Sequence, residues 1–109
     1  MSAPATVPVC ITPEAAALVG ELGMQAELDR MVEHTRQAVA GLQHVAVTLA
    51  PAYETRPSPG INIEAYTDRP FEEEDRTQGQ WDRWLVTTFP PEVCEHFALM
   101  LREAPGHAG

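Results

Sequence analysis

The fold is decided by two alternating stretches and the turn between them: His44-Val45-Ala46-Val47-Thr48-Leu49, Pro57-Ser58-Pro59-Gly60 and Ile61-Asn62-Ile63-Glu64-Ala65-Tyr66. In both stretches every second residue is apolar, which is the pattern of a strand with one buried face. Proline and glycine with a serine between them are typical of a turn. The three segments together predict an antiparallel β-hairpin.

Two helices are predicted upstream of the hairpin. The first begins at Thr12-Pro13-Glu14, where threonine can cap the helix and proline suits its first position. The apolar positions change phase near Gly20 and Gly23, so one straight helix cannot bury all of them. We therefore expect a short helix ending at Gly23 and a longer one from about Gln25 to Ala40. Residues 1–11 hold two prolines and predict an extended arm that lies along a sheet edge or is loose.

A third helix is predicted downstream of the hairpin, behind the acidic run Glu72–Asp75, because negative charge is favoured at a helix N-terminus. Trp81, Trp84 and Leu85 have the spacing of its buried side, and the helix is expected to end near Leu85. Residues 86–89 could alternatively form a short strand. The segment Glu92–Leu101 fits either a helix or a strand, and its alternation at Phe97, Leu99 and Leu101 favours the strand.

These elements predict an α/β (α+β) fold, a small two-layer sandwich with the order αββαβ. Residues 12–103 form a single domain in this prediction, and residues 104–109 form a disordered tail. If all helices cover one face of a three-stranded sheet, the other face is mixed in character. It then carries Ala46, Thr48, Asn62, Glu64, Tyr66, Ala98 and Met100.

Composition excludes several classes of function. The chain has 109 residues, a formal net charge of -9 and no lysine, so Schiff-base catalysis and the lysine of a phosphate-binding P-loop are excluded. The negative charge disfavours direct binding of nucleic acid. No apolar run is long enough for a membrane span, and Cys10 and Cys94 cannot form a disulfide framework. We expect a cytoplasmic protein of bacterial type with reduced thiols and no membrane contact.

Candidate reactive groups are few, and we assign no catalytic residue, cofactor or metal. Cys94 and His96 are the alternative: in a strand they would share a face and could hold a metal or act as a thiol enzyme, assisted by His34 or Glu64. Another alternative is a small-ligand pocket lined by Trp81, Trp84 and Tyr66.

The leading hypothesis is an acidic protein-binding module, such as an inhibitor or adaptor. A basic partner, for example a toxin or a nucleic-acid enzyme, would suit the charge. The open edges of so small a sheet also favour strand addition by a partner or by a second copy in a homodimer. The predicted contact residues are Glu72, Glu73, Glu74, Asp75, Glu64 and Tyr66.

Overall fold

The computed structural model of the chain describes residues 7–52, 58–68 and 74–104. Within these ranges the chain forms four strands and four helices. In chain order they are β1 (Val9–Ile11), α1 (Pro13–Leu22), α2 (Gln25–Ala38), β2 (Leu42–Ala50), β3 (Gly60–Thr67), α3 (Glu74–Thr88), α4 (Pro91–Cys94) and β4 (Phe97–Glu103).

The strands form one sheet in the order β1-β2-β3-β4. The central pair, β2 and β3, is antiparallel, and Val45 lies opposite Ala65 while Val47 lies opposite Ile63. The predicted hairpin is therefore confirmed. The outer pairs are parallel, with β1 beside β2 and β4 beside β3. As a result β1 begins and β4 ends at the same end of the sheet.

The helices cover one face of the sheet, as a two-layer fold requires. The strand residues that point to that face are buried, among them Val45, Val47, Ile63 and Ala65. They share one core cluster with Ala15 and Val19 of α1, Leu28 and Met31 of α2, and Trp81 and Leu85 of α3. Most of the alternate strand residues are half-buried or exposed, and the buried exceptions are Ala50 and Gly60, where β2 ends and β3 begins. This side of the sheet, which no described helix covers, is called the open face below.

Local sequence sets the break between α1 and α2. Thr12 caps α1, because its Oγ1 accepts a hydrogen bond of 3.2 Å from the amide of Ala15. Gly23 ends the helix in the left-handed conformation at φ 69°, which glycine adopts without steric cost. Its amide donates to the carbonyls of Gly20 and Val19. The predicted helix start and the break at Gly23 are both confirmed.

The sheet has one strand more than expected. Of the two alternatives for the extended arm, lying along a sheet edge is confirmed for Val9–Ile11, which pair with β2 as a full strand. The sheet is therefore four-stranded instead of three-stranded. At the other end of the domain, Ala104 was assigned to the tail, but it is buried and its amide donates to the carbonyl of Thr67 at 2.9 Å. The rest of the tail lies outside the described residues.

The end of α3 and the segment after it also differ from expectation. The helix continues to Thr88, so the alternative of a strand over residues 86–89 is wrong. The ambiguous segment contains both elements, because α4 takes only Pro91–Cys94 before the chain enters β4 at Phe97. A proline pair opens a single helical turn, and the alternating residues that follow form the strand. No helix in the described part of the chain is long and apolar enough to cross a membrane.

Candidate functional site

Five polar or aromatic side chains meet at the centre of the open face. The strand register brings them together, since His44 lies opposite Tyr66 on β2 and β3, and Tyr66 lies opposite Arg102 on β4. Glu64 and Thr48 are on the same face because side chains alternate along each strand. We call this group the open-face cluster: His44, Thr48, Glu64, Tyr66 and Arg102.

The Glu64 carboxylate organises the open-face cluster. Its Oε1 accepts a 2.8 Å hydrogen bond from the Tyr66 hydroxyl, and its Oε2 accepts one of 2.8 Å from Thr48 Oγ1. Arg102 Nε lies 3.7 Å from Oε1, and the Glu64 side chain is only 14% exposed. The two hydrogen bonds hold the Glu64 carboxylate in one orientation, and the Arg102 guanidinium lies close enough to balance its negative charge.

Tyr66 links the carboxylate to an aromatic stack. The ring of His44 lies over the Tyr66 ring with centroids 4.2 Å apart and planes 11° from parallel. The hydrogen bond to Glu64 raises the pKa of Tyr66 above its ordinary value of 10, and burial raises it further. The phenol is therefore neutral near pH 7 and serves as a donor. The open-face cluster therefore presents a fixed aromatic surface beside a charged pair.

The acidic part of the predicted contact surface is separate from the open-face cluster. Glu72 and Glu73 lie outside the described residues. Glu74 and Asp75 form the first turn of α3, where the helix dipole favours their charge. Because α3 packs on the helix-covered side of the sheet, these two residues do not share a face with Glu64 and Tyr66.

Cys94 and His96 do not have the strand geometry that was assumed for them. Cys94 ends α4 and His96 lies between α4 and β4, so the expectation that they share a strand face is wrong. The Cys94 thiol lies 3.5 Å from the carbonyls of Leu85 and Phe89, and burial raises the pKa of that thiol. The described ranges contain no group of three or more His, Cys, Asp or Glu side chains that could hold a metal ion.

The three aromatic residues of the predicted ligand pocket do not meet: the rings of Trp81 and Trp84 are neighbours with centroids 6.0 Å apart, but Tyr66 is on the other side of the sheet. Trp81 is fully buried in the core, whereas Tyr66 lies on the open face. Trp84 is half-buried at the surface of the helical layer, where His34 stacks on it with centroids 3.9 Å apart and planes 4° from parallel. Burial lowers the pKa of His34. These positions do not line one pocket.

Sequence reasoning placed Thr48 on the same face as Glu64 and Tyr66, but it did not name His44, Thr48 or Arg102 as contact residues. The alternating pattern of the two strands puts His44 and Thr48 on the same face as Glu64. This pattern was the one signal in the sequence that could have added them to the contact residues. Contact also requires the register between strands, and the long β2–β3 connection does not fix it. Arg102 needed in addition the position of β4 beside β3.

Comparisons with known proteins returned no relatives. No family model matches this chain, and no match was found among curated proteins or solved structures.

Proposed function

We propose that this protein is a non-enzymatic binding module that holds a basic protein partner, acting as an inhibitor or adaptor in the cytoplasm of a bacterium. The observation that carries the proposal is the open-face cluster. Its tyrosine and arginine are residue types enriched at binding hot spots. Tyr66 is already fixed by its hydrogen bond to Glu64, and Arg102 is held beside the same carboxylate by an ion pair of 3.7 Å. This order reduces the entropy lost when a partner docks.

The net charge of -9 supports a basic partner. Opposite charge speeds the encounter of two proteins and disfavours wrong partners. The acidic start of α3 lies away from the open face, but it would still help to attract a basic partner. Charges outside a contact region act mainly on the association rate. Its described members are Glu74 and Asp75, with Glu72 and Glu73 adjoining them in sequence.

The alternative of a thiol or metal-dependent enzyme has less support. A catalytic thiol needs a lowered pKa to form thiolate at neutral pH, and burial moves the pKa of Cys94 in the opposite direction. His96 has its nearest charged neighbour in the adjacent residue, with 3.8 Å between Nε2 and the Glu95 Oε2. Among the described residues, the contacts of Cys94 are backbone carbonyls and that of His96 is Glu95, so neither group has the neighbouring base or thiol that nucleophilic catalysis requires.

The experiment is to recover the tagged protein from its native host at low salt, identify the protein bound to it, and measure the purified pair. We expect association to slow steeply as salt is added, and Tyr66→Ala to weaken the complex about tenfold or more. Glu74→Arg with Asp75→Arg should slow association. The matched control is Glu14→Arg with Glu21→Arg on the exposed side of α1. The proposal would be overturned by a complex whose association rate does not change with salt and whose affinity does not change with Tyr66→Ala.

A second candidate is self-association through β4. This edge strand has seven residues, and its segment Phe97–Leu101 has no proline or charged residue that would prevent pairing. A twofold axis at Met100 would place Leu99 opposite Leu101 of a second copy and continue the apolar face across the pair. We propose that the module forms a homodimer in this way, through an antiparallel β4 pair.

A further inference from the structure

We propose a second contact surface at the opposite edge of the sheet, where β1 and α2 form a groove that accepts an extended, basic segment of a partner as a fifth strand. This inference deepens the proposed function, because it rests on the partner being a protein and names how part of it binds. It involves residues that the open-face cluster does not include.

The backbone of β1 is arranged for strand addition. The carbonyl of Pro8 accepts from the amide of Val45 at 3.0 Å, and the amide of Thr12 donates to the carbonyl of Val47 at 3.0 Å. Backbone groups alternate sides along a strand, so residues 8, 10 and 12 point toward β2. The amides and carbonyls of Val9 and Ile11 therefore point outward, and β1 is the edge of the described sheet.

The side chains of the same two residues are unusually exposed. Val9 is 37% exposed and Ile11 is 41% exposed, although both point to the side of the sheet that carries the core. They face α2 across an open groove of about 440 Å³ whose apolar lining includes Leu28 and Val32. A neighbouring strand would cover these two side chains and place its own apolar residues in the groove.

The two sheet edges differ in what an added strand would gain. At β4 the helix side is already covered, because Phe97 is 6% exposed and Leu99 is 3% exposed. A strand added there gains backbone hydrogen bonds but little apolar burial on that side. A strand added at β1 gains both backbone hydrogen bonds and apolar burial on the helix side. The β1 edge is therefore the better site for an added strand from a different protein.

Charge at the groove indicates the chemistry of the occupant. Asp29 and Glu33 line the groove on α2, and among the described residues of its lining Arg36 is the one cation. That guanidinium is already engaged, with Nη1 3.2 Å from Glu33 Oε1 and Nη2 3.4 Å from the carbonyl of Val7. An arriving basic side chain meets Asp29, whose only described hydrogen bond comes from the neutral amide of Gln25. The occupant is thus an extended segment that alternates apolar residues with polar ones, including arginine or lysine.

The probe is a synthetic nine-residue peptide that alternates valine with threonine and arginine, compared with versions carrying glutamate for arginine or proline for the central valine. Amide exchange of the labelled full chain is followed by NMR. On binding of the basic peptide, we expect the Val9 and Ile11 amides to exchange about tenfold more slowly or better, while Cys10, already bonded to β2, changes little. The glutamate and proline versions should bind weakly. Protection spread evenly over β1, or found at β4, would overturn the inference.

Variants separate this surface from the rest of the molecule. Ile11→Thr keeps a β-branched residue in the strand and should weaken peptide binding about tenfold by removing apolar contact. Val86→Thr makes the same kind of change at a residue of α3 that is 63% exposed, and should leave binding unchanged. Tyr66→Ala should also leave it unchanged. If the peptide fails to bind while the partner complex still depends on Tyr66, this inference fails and the proposed function stands.

Discussion

The indole Nε1 of Trp81 donates a 3.0 Å hydrogen bond to Oγ1 of Thr35, joining α3 to α2 at a point where neither residue has any exposed surface. The same hydroxyl donates to the carbonyl of Met31 at 2.7 Å. Thr35 therefore satisfies the one polar atom of the largest side chain in the core.

Thr35→Val tests this relationship, because it keeps the shape of the side chain and leaves the buried Trp81 N–H without an acceptor. We expect the free energy of unfolding to fall by about 1–3 kcal/mol. Thr87→Val is the matched control: Thr87 also donates to a carbonyl of its own helix, at 2.8 Å, but it is exposed. Urea unfolding followed by tryptophan fluorescence measures both variants. Equal effects at the two positions would contradict the stated role of Thr35.

The pH dependence of stability should contain a contribution from His34. Burial lowers the pKa of His34 below its ordinary 6.5, so the folded protein binds this proton less readily than the unfolded chain. The contribution of His34 to the free energy of unfolding is fully present above pH 6.5. It is lost as the pH falls from 6.5 toward the lower pKa of the folded state. His34→Gln removes this contribution. Urea midpoints between about pH 5 and 8 should slope less in the variant than in the parent. Identical slopes would show that the imidazole titrates normally.

The two cysteines should differ in reactivity. Cys10 is exposed, whereas Cys94 is half-buried with a raised pKa, so Cys94 forms less thiolate at neutral pH. We expect a disulfide reagent to modify Cys10 at least about tenfold faster than Cys94. Cys10→Ser and Cys94→Ser isolate each thiol. A Cys94 that reacts faster than Cys10 would instead revive the thiol-enzyme alternative.

A cysteine at the dimer axis tests the proposed β4 pair. With the axis at Met100, the two copies of this residue lie opposite each other as a non-hydrogen-bonded pair. The Cα atoms of such a pair are about 4.5 Å apart, so Met100→Cys can form a disulfide between the two copies. Oxidation of this variant in a Cys10→Ser, Cys94→Ser background should give a covalent dimer. Ala98→Cys, which would face Arg102 of the other copy, is the control. No crosslink for Met100→Cys, or equal crosslinking for both, would count against this register.

The regular parts of the fold were predictable because local sequence determines them. Two alternating stretches around a proline-rich turn gave the hairpin, and Gly23 gave the helix break through its left-handed conformation. Each signal lies within a few residues of the feature that it predicts.

The parts that were missed depend on distant contacts. β1 is only three residues long, too short for alternation to be recognised, and it is defined by pairing with β2. The helix-or-strand ambiguity after Thr88 arose because one turn of helix and a strand follow each other within one apolar stretch. The open-face cluster needed the register of three strands, which no single segment contains.

The direction of the outer strands has a mechanical consequence. Since β1 begins and β4 ends at one end of the sheet, on its two outer sides, a force pulling those ends apart acts across the strands. It loads the hydrogen bonds of each edge strand one after another, as in peeling, instead of loading all of them together in shear. In a single-molecule pulling experiment with handles at the start of β1 and the end of β4, the domain should unfold at low force. With handles on β2 and β4 at opposite ends of the sheet, the unfolding force should be higher.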